Sequence, residues 1–513
     1  MKCLLPALLS RRIDFAFLIV LISGYGSWMS VRASADEQLT AGVAKVEITD
    51  REAGPVNDPL FVKALVVKSP TNSLVLITVD AVAIGEIGRI GNDYLPTVRD
   101  QLFTDFGIPP ENVMINASHC HGVVRRDVAD LTVQAVRSAM ESQEQVEIGF
   151  GLGFENTISE NRRLHLKSGR TIDVRHAYAL PPDEEVIGVG PIDPAIGIVK
   201  INRKNGSTLS VLYHYACHPI QGVPSGGNTA DLTGFASKVI EESLVGDCVA
   251  LFVQGCGGDI NPRNYKQVDQ ARDAETLGNK LGLSVLREVP RIPCVAESRL
   301  KVIHERLVLP RGDQSGKIFE LEKRQEQLLN SLRGTTLNLK SFLPLMVKYQ
   351  LDPEFPSYDS YGYLREVQSE DAAYRKLDRK NRDLIDAYIQ NIRTMEELTR
   401  VQTNLRLLKK HHASLLASGK RTIEVEVMGI RLGDVKMVTF PGELTVPIGL
   451  EIKELTNDPA TLISGYTNGY IYYAPTTEQL ENAGNAQEDS DCILAPDWYP
   501  IFRSKALEIL RQL

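Results

Sequence analysis

The chain has 513 residues, 43% of them hydrophobic and 24% charged, the composition of folded protein with enough apolar side chains for one large core or two medium ones. Disorder is excluded as the default state. A formal net charge of -8 and a pI near 5.7, with no basic block long enough to track a phosphate backbone, argue against nucleic acid as a partner.

The first elements read as a targeting segment. Lys2, Arg11 and Arg12 precede the apolar run "FAFLIVLISGY" from Phe15 to Tyr25, and "ASA" follows at 33–35. This order predicts a signal peptide over 1–35 cleaved after Ala35, and so export to the periplasm or beyond. An uncleaved anchor is the weaker alternative, because Asp14 and polar interruptions keep the apolar run too short for a stable span. Six cysteines then remain, Cys120, Cys217, Cys248, Cys256, Cys294 and Cys492. Their even number permits three bridges in an oxidising compartment without requiring any, and the lack of a CxxC pair argues against a zinc ribbon.

From 36 to 310 the chain alternates β-branched apolar runs with helical periodicity. "SLVLITVDAV" (73–82), "ENVMINAS" (111–118), "TLSVLYHYAC" (208–217) and "DCVALFVQG" (247–255) read as strands apolar on both faces, which belong in a covered sheet. "DVADLTVQAVRSAM" (127–140) and "DLTGFASKVIEESL" (231–244) read as helices between them. The expected fold is α/β, a mixed sheet core with helices on its faces. Residues 311–418 are long, charged and amphipathic and predict a helical insertion packed on that core. Strands return at 421–443 and 460–470, so 36–310 and 419–513 together form the expected catalytic domain, closed by the helix "IFRSKALEILRQL".

Polar clusters follow the carboxyl ends of six of these strands. They are Asp80, the pair His119 and His121 in "SHCHG", His218 in "YHYACHP", "GCGGDINPRN", Glu443 in "PGE", and Tyr470 to Tyr473 in "NGYIYY". Ligands of open α/β sheets gather at this rim. Imidazole, carboxylate and phenolate oxygen suit zinc, with His119 and His218 supplying nitrogen and Glu443 oxygen. The His-x-His spacing lets His119 and His121 share a site if the strand runs on. Each piece has a plainer reading as a polar residue in a turn or an aromatic in a core. Spacing alone leaves the two near even, because no HExxH helix is present.

The same residues resemble the neutral (neutral/alkaline, non-lysosomal) ceramidases and their bacterial relatives. "SHCHG" is similar to that family's "HTHS" element, "YHYACHP" to its later "HP", "GDINPR" to "GDVSPN", "PGEL" to "PGEF", and "NGYIYYAPTT" to its tyrosine element, all in the family order. Weaker echoes are "AGVAKVEITD" at 41–50 and "ENRRL" at 160–164. The resemblance implies one zinc per chain held by His119, His218, Glu443 and Tyr473, and hydrolysis of an amide in ceramide or a related lipid. It also implies His121 and Tyr470 beside the intermediate, Arg162 lending charge to the oxyanion, and contact with a membrane surface where the lipid resides.

This chain departs from the family in carrying Asn261 where ceramidases carry serine, which excludes a covalent nucleophile there and leaves an amide to orient the carbonyl. It also reaches Leu513 where ceramidases continue into a β-sandwich, and it carries the 311–418 helices. Two rival readings remain at this stage. One is a metal hydrolase of an ester or phosphate, with Asp80, Asp231 and Asp259 building a second metal site; the other is a silent binding protein, suggested by Asn261. The substrate is in each case a small molecule or lipid, and the sequence does not define an oligomeric state.

Overall fold

A strand that is apolar on both faces needs two covers, and the protein supplies them by stacking two sheets between helical layers. The computed structural model describes residues 38–174, 181–223, 227–265, 272–351 and 373–513. The expected signal peptide and its cleavage site after Ala35 lie outside these residues, as does 352–372 within the helical stretch.

The first sheet holds β1 (Thr40–Glu47), β2 (Phe61–Lys68), β3 (Ser73–Val79), β4 (Val113–Ala117), β5 (Glu144–Phe154), β6 (Ala195–Arg203), β7 (Thr208–Tyr215) and β8 (Val249–Gln254). Their order is β8-β7-β6-β5-β1-β2-β3-β4, with the short strand Val295–Ala296 added on β5. The β3–β4 and β7–β8 pairs are parallel and the other pairs in that order antiparallel. The second sheet runs β9 (Leu300–Pro310), β10 (Thr422–Leu432), β11 (Val435–Thr439) and β12 (Thr461–Ser464), antiparallel except for the parallel β11–β12 pair.

Strand β2 shows how one sequence serves two cores. Side chains alternate across a strand, so Val62, Ala64 and Val66 face helices while Leu65 and Val67 face the other sheet. A one-residue slip in register would exchange the two sets. Between the sheets Leu65, Leu76 and Leu212 meet Met428, Met437 and Leu462. Helices α1 (Tyr94–Phe106) and α2 (Val128–Glu141) cover the first sheet at one end, and α3 (Asp231–Ser243) and α4 (Ala274–Glu288) at the other.

The charged stretch after β9 forms α5 (Ser315–Ser331), α6 (Leu339–Leu351) and α7 (Ala373–Ser418). Leu328 of α5 packs on Leu398 and Val401 of α7, and Arg324–Glu397 and Lys409–Glu322 ion pairs at 2.7 Å flank that contact. The second sheet is then covered on its outer face by α8 (Val446–Thr456) and α9 (Trp498–Gln512), through Ile448, Ile452, Trp498 and Phe502. The whole is a helix-sheet-sheet-helix sandwich, so the expected mixed α/β class holds, with two sheets sharing the core. Carboxyl ends of β3, β4, β7, β8, β11 and β12 converge on one rim, where a bridge between Asn116 and Thr467 joins the two sheets.

Candidate metal centre

Three loops at that rim deliver His119, His218 and Glu443. Beyond β4 the chain turns at His119, whose φ of 68° lies in the left-handed region. Such a backbone costs a non-glycine residue about 1–3 kcal/mol and persists only where its surroundings enforce it. The enforcement is visible: the His119 amide donates to the Ala81 carbonyl at 3.0 Å and Nδ1 to the Val82 carbonyl at 2.6 Å. His218, beyond β7, donates Nδ1 to the carbonyls of Gly257 at 2.7 Å and Ile260 at 3.0 Å. Gln254 at the end of β8 spaces the two loops, its amide reaching the carbonyls of Ser118 at 3.1 Å and Cys217 at 2.8 Å, the residues just before each histidine.

Glu443 follows β11 in a two-residue strand, Glu443–Leu444, paired in parallel with Tyr473–Ala474, so that Glu443 and Tyr473 are register partners. The strand lies hard against Gly258, where an added Cβ would stand 2.7 Å from the Glu443 carbonyl oxygen. No side chain fits there.

His119 Nε2 and His218 Nε2 stand 3.5 Å and 3.1 Å from Glu443 Oε2, and the three ligand atoms all lie within 4.8 Å of one another. A carbonyl only accepts, so each Nδ1 carries the proton and each Nε2 presents its lone pair towards the carboxylate. Second partners of this kind orient and fix the tautomer of metal-binding histidines. Burial pushes His119 down to about 4, which keeps the imidazole neutral. Burial pushes the Glu443 carboxyl up, and positive charge at His119 and His218 together with the Tyr470 hydroxyl would hold it well below the usual carboxylate range; with the imidazoles neutral, a cation between them would supply that charge. A buried anion faced by two lone-pair nitrogens is the donor set of a divalent cation, and the set fits zinc.

The other expected site residues fall at graded distances from this centre. His121 lies on the wall of the same cavity, its ring 5.5 Å from that of His119. The Tyr473 ring stacks on His218 at 6.5 Å, and the buried Arg162 guanidinium sits 5.4 Å from its centre. Tyr470 donates its hydroxyl proton to Glu443 Oε1, so in this arrangement it positions the carboxylate. Asn261 is buried behind Arg162, accepting from Nη1 at 3.3 Å, and does not line the cavity. Arg162 Nη2 donates to the Gly258 carbonyl at 2.5 Å and its Nε faces Glu488 at 3.5 Å.

Three residues unmarked in the sequence reading belong here. Tyr466 donates to Glu443 Oε2 at 3.2 Å and packs its ring 4.5 Å from His119. Its neighbours are stitched to β4, with Asn116 bonded to Thr467 at 3.0 Å and the Ile115 amide to Asn468 Oδ1 at 2.7 Å. Asp491 lines the cavity and bonds His411 of α7 at 2.5 Å. A family of tyrosines after one strand was the available signal for Tyr466; nothing local marks the His411–Asp491 pair.

The aspartates considered for a second metal do not meet. Asp80 turns back to accept from the Phe61 amide at 2.9 Å, Asp231 from the amides of Gly222 and Leu232, and Asp259 from Val446 at 2.8 Å. Among the described residues, His119, His218 and Glu443 are the one cluster of His, Cys, Asp and Glu that could hold an ion. All six cysteines are free thiols; burial raises Cys120, Cys217 and Cys256, beside the site, above the ordinary thiol range.

Asp80 yields a stability prediction instead. Burial pushes its carboxyl up to about 6 despite Lys63. A carboxyl raised in the folded state favours folding most below its unfolded value, and that contribution disappears as pH rises through about 6. Asp80→Asn keeps the acceptor for Phe61, while Lys63 retains Glu241 at 3.1 Å and the Ala250 carbonyl at 2.7 Å. The variant should be more stable than wild type by about 1–2 kcal/mol at pH 7.5, with the gap closing by pH 4. Urea midpoints across that range measure it; a gap independent of pH contradicts the assignment.

The centre opens into a cavity of about 470 Å³. Val82, Ile87, Ile220 and Val223 give it an apolar side, and Thr403 and Arg406 of α7 bring a polar wall to it. The size is that of a small-molecule or lipid-headgroup site.

Neither family models nor curated protein sequences match the chain. Among solved structures it is similar to the crystal structure of neutral ceramidase from Pseudomonas aeruginosa, at 15% identity and a TM-score of 0.55, over 93% of this chain and 75% of that one. A ceramidase solved in complex with C2 is similar at 15% identity and a TM-score of 0.56, over 93% of this chain and 76% of that one. With the five ordered motifs now brought to one rim, the fold that this chain adopts is the neutral ceramidase fold.

Proposed function

We propose that the protein is an exported, zinc-dependent hydrolase that cleaves the amide bond of an N-acyl lipid, ceramide or a relative of it. The observation that carries this reading is the cluster of His119, His218 and Glu443, whose Nδ1 protons are already committed to backbone carbonyls. Support comes also from the fold, since the solved proteins with the same architecture are ceramidases by name. Tyr473, paired in register with Glu443 and facing Arg162, is the fourth residue we assign to the ion. When bound, zinc polarises the acyl carbonyl and lowers the pKa of water towards neutrality.

The protein's own groups do the rest. His119 and His218 would hold the ion through Nε2, and Glu443 would supply the charge that offsets it. Tyr466 and Tyr470 donate to the two oxygens of Glu443 and fix its plane. His121, on the cavity wall, is placed to hydrogen-bond the oxygen on which charge develops, and Arg162 adds a buried positive charge beside Tyr473. Asn261 acts on substrate only through Arg162, which it helps to orient.

The alternative with two metals loses its second site once Asp80, Asp231 and Asp259 are each held by backbone amides. The test is metal analysis of the mature chain together with a panel of N-acyl amides, matched esters and phosphate esters. About one equivalent of zinc per chain is expected. Amide cleavage should be lost on chelation and restored by zinc alone. Zinc retained with no amide cleaved would leave a binding protein; two equivalents with phosphate-ester cleavage would overturn the reading.

A further inference from the structure

Among the described residues, the cavity has one charged side chain that no other side chain balances. Glu443 is met by two imidazoles and two tyrosine hydroxyls, Arg162 by Glu488, and Asp491 by His411. Arg406, an exposed residue of α7 that lines the cavity, makes no hydrogen bond or ion pair among the described residues, and neither does the Thr403 hydroxyl. Residues three apart on a helix share a face. Thr403 and Arg406 therefore present two uncommitted donors, one turn apart, to the same cavity.

These donors are not needed to hold α7 in place. Before them Arg400 donates to the Asp173 carbonyl at 2.8 Å, and after them His411 bonds Asp491 at 2.5 Å. The helix is pinned on both sides of Arg406, so its guanidinium is presented from a fixed backbone. Only the side chain, exposed and without a partner among the described residues, then remains to be ordered on binding. Guanidinium is the side chain best matched to carboxylate, sulfonate and phosphate, through paired, charge-assisted hydrogen bonds. Among the lining residues Val82, Ile87, Ile220 and Val223 suit an acyl chain, and Thr403 and Arg406 of α7 suit a polar or anionic group.

Resting on the N-acyl hydrolase reading, we propose that the preferred substrates carry an anion on the amine side of the amide, as in an N-acyl amino acid, and that Arg406 with Thr403 selects them. A neutral headgroup such as that of ceramide leaves Arg406 without a partner. The anion is defined here by its chemistry, a carboxylate or a sulfonate within reach of the amide.

The experiment compares N-dodecanoylglycine, N-dodecanoyltaurine and N-dodecanoylethanolamine, which share one acyl chain. Binding to the full-length mature protein is measured by calorimetry after zinc has been stripped, so that neither turnover nor the metal contributes, and kcat/KM is measured on the zinc-loaded protein. An anionic ligand should bind about tenfold or more tightly than the ethanolamide, and the rate ratio should follow. Arg406→Gln should bring both ratios close to one, Arg406→Lys should keep part of them, and glycine against taurine decides which anion fits better. Equal binding of charged and neutral ligands, or a preference that survives in Arg406→Gln, overturns the proposal even if amides are hydrolysed. Arginine-dependent anion preference in binding with no amide cleaved upholds the anion-selecting role of Arg406 and overturns the hydrolase reading, and with it the claim about substrates.

Discussion

His218→Ala is expected to take the mature chain from about one bound zinc to none and to lower amide hydrolysis by well over ~100-fold, more than the ~10–100-fold typical of losing an outer partner. The residue supplies one of two ring nitrogens, and its place cannot be filled by a neighbour: His121 is on the cavity wall, and Tyr473 stacks on the ring without replacing it. Tyr470→Phe makes the contrast. Its hydroxyl touches Glu443, so its loss loosens the carboxylate while every residue assigned to the ion remains. It should retain zinc at saturating metal and lose about 10–100-fold in rate. Elemental analysis and initial rates on the same preparations separate the two roles; full zinc content in His218→Ala would remove the basis of the site.

The largest effect on stability is expected at Arg163, next to the cavity-facing Arg162. Its guanidinium is buried, forks onto Asp489, and faces Asp259 at 3.4 Å and Glu488 at 3.3 Å through Nε. Asp489 has a further donor in Asn482 at 2.8 Å. Even so, burial pushes Asp489 up to about 6. Arg163→Met removes the cation and leaves three buried carboxylates, a loss of about 3–5 kcal/mol because unpaired buried charge is costly. Arg163→Lys should recover little of it, since a point charge cannot reproduce the fork. The direction with pH follows from the raised carboxyl: protonation relieves the folded state, so the deficit should be largest near pH 8 and shrink towards pH 5. Denaturant midpoints at those two pH values measure it. The functional consequence is carried by Asp259, which follows Gly258, the residue packed against Glu443.

The sequence made His119, His218 and Glu443 legible because each follows an apolar run that had to be a strand, and a strand fixes where its next residues emerge. The Tyr470–Tyr473 segment was marked for the same reason, and Tyr473 is the register partner of Glu443. Tyr466 was not marked, because 460–470 reads as one strand, whereas the strand ends at Ser464 and the chain turns beyond it. Its side chain reaches Glu443 only because Tyr466 holds φ at 53° while Asn116 and Asn468 stitch the loop to β4. Asn261 and Tyr470 were expected at the substrate. Tyr470 lines the cavity while its hydroxyl donates to Glu443, and Asn261 lies behind Arg162; these hydrogen-bond partners are set by which neighbour offers a donor or acceptor, and the chain order does not encode that.

By itself, then, the sequence determined the alternation of strands and helices, the residue types at the rim and the charged helices after 310, since these depend on local periodicity and turn chemistry. Tertiary structure alone decided that there are two sheets, because β9 pairs with β10 across more than a hundred intervening residues. It also decided that α7 lines the site, and that Arg406 meets no opposite charge there among the described residues. Such facts rest on contacts between segments far apart in the chain, whose geometry is fixed by packing the whole core and not by any single stretch.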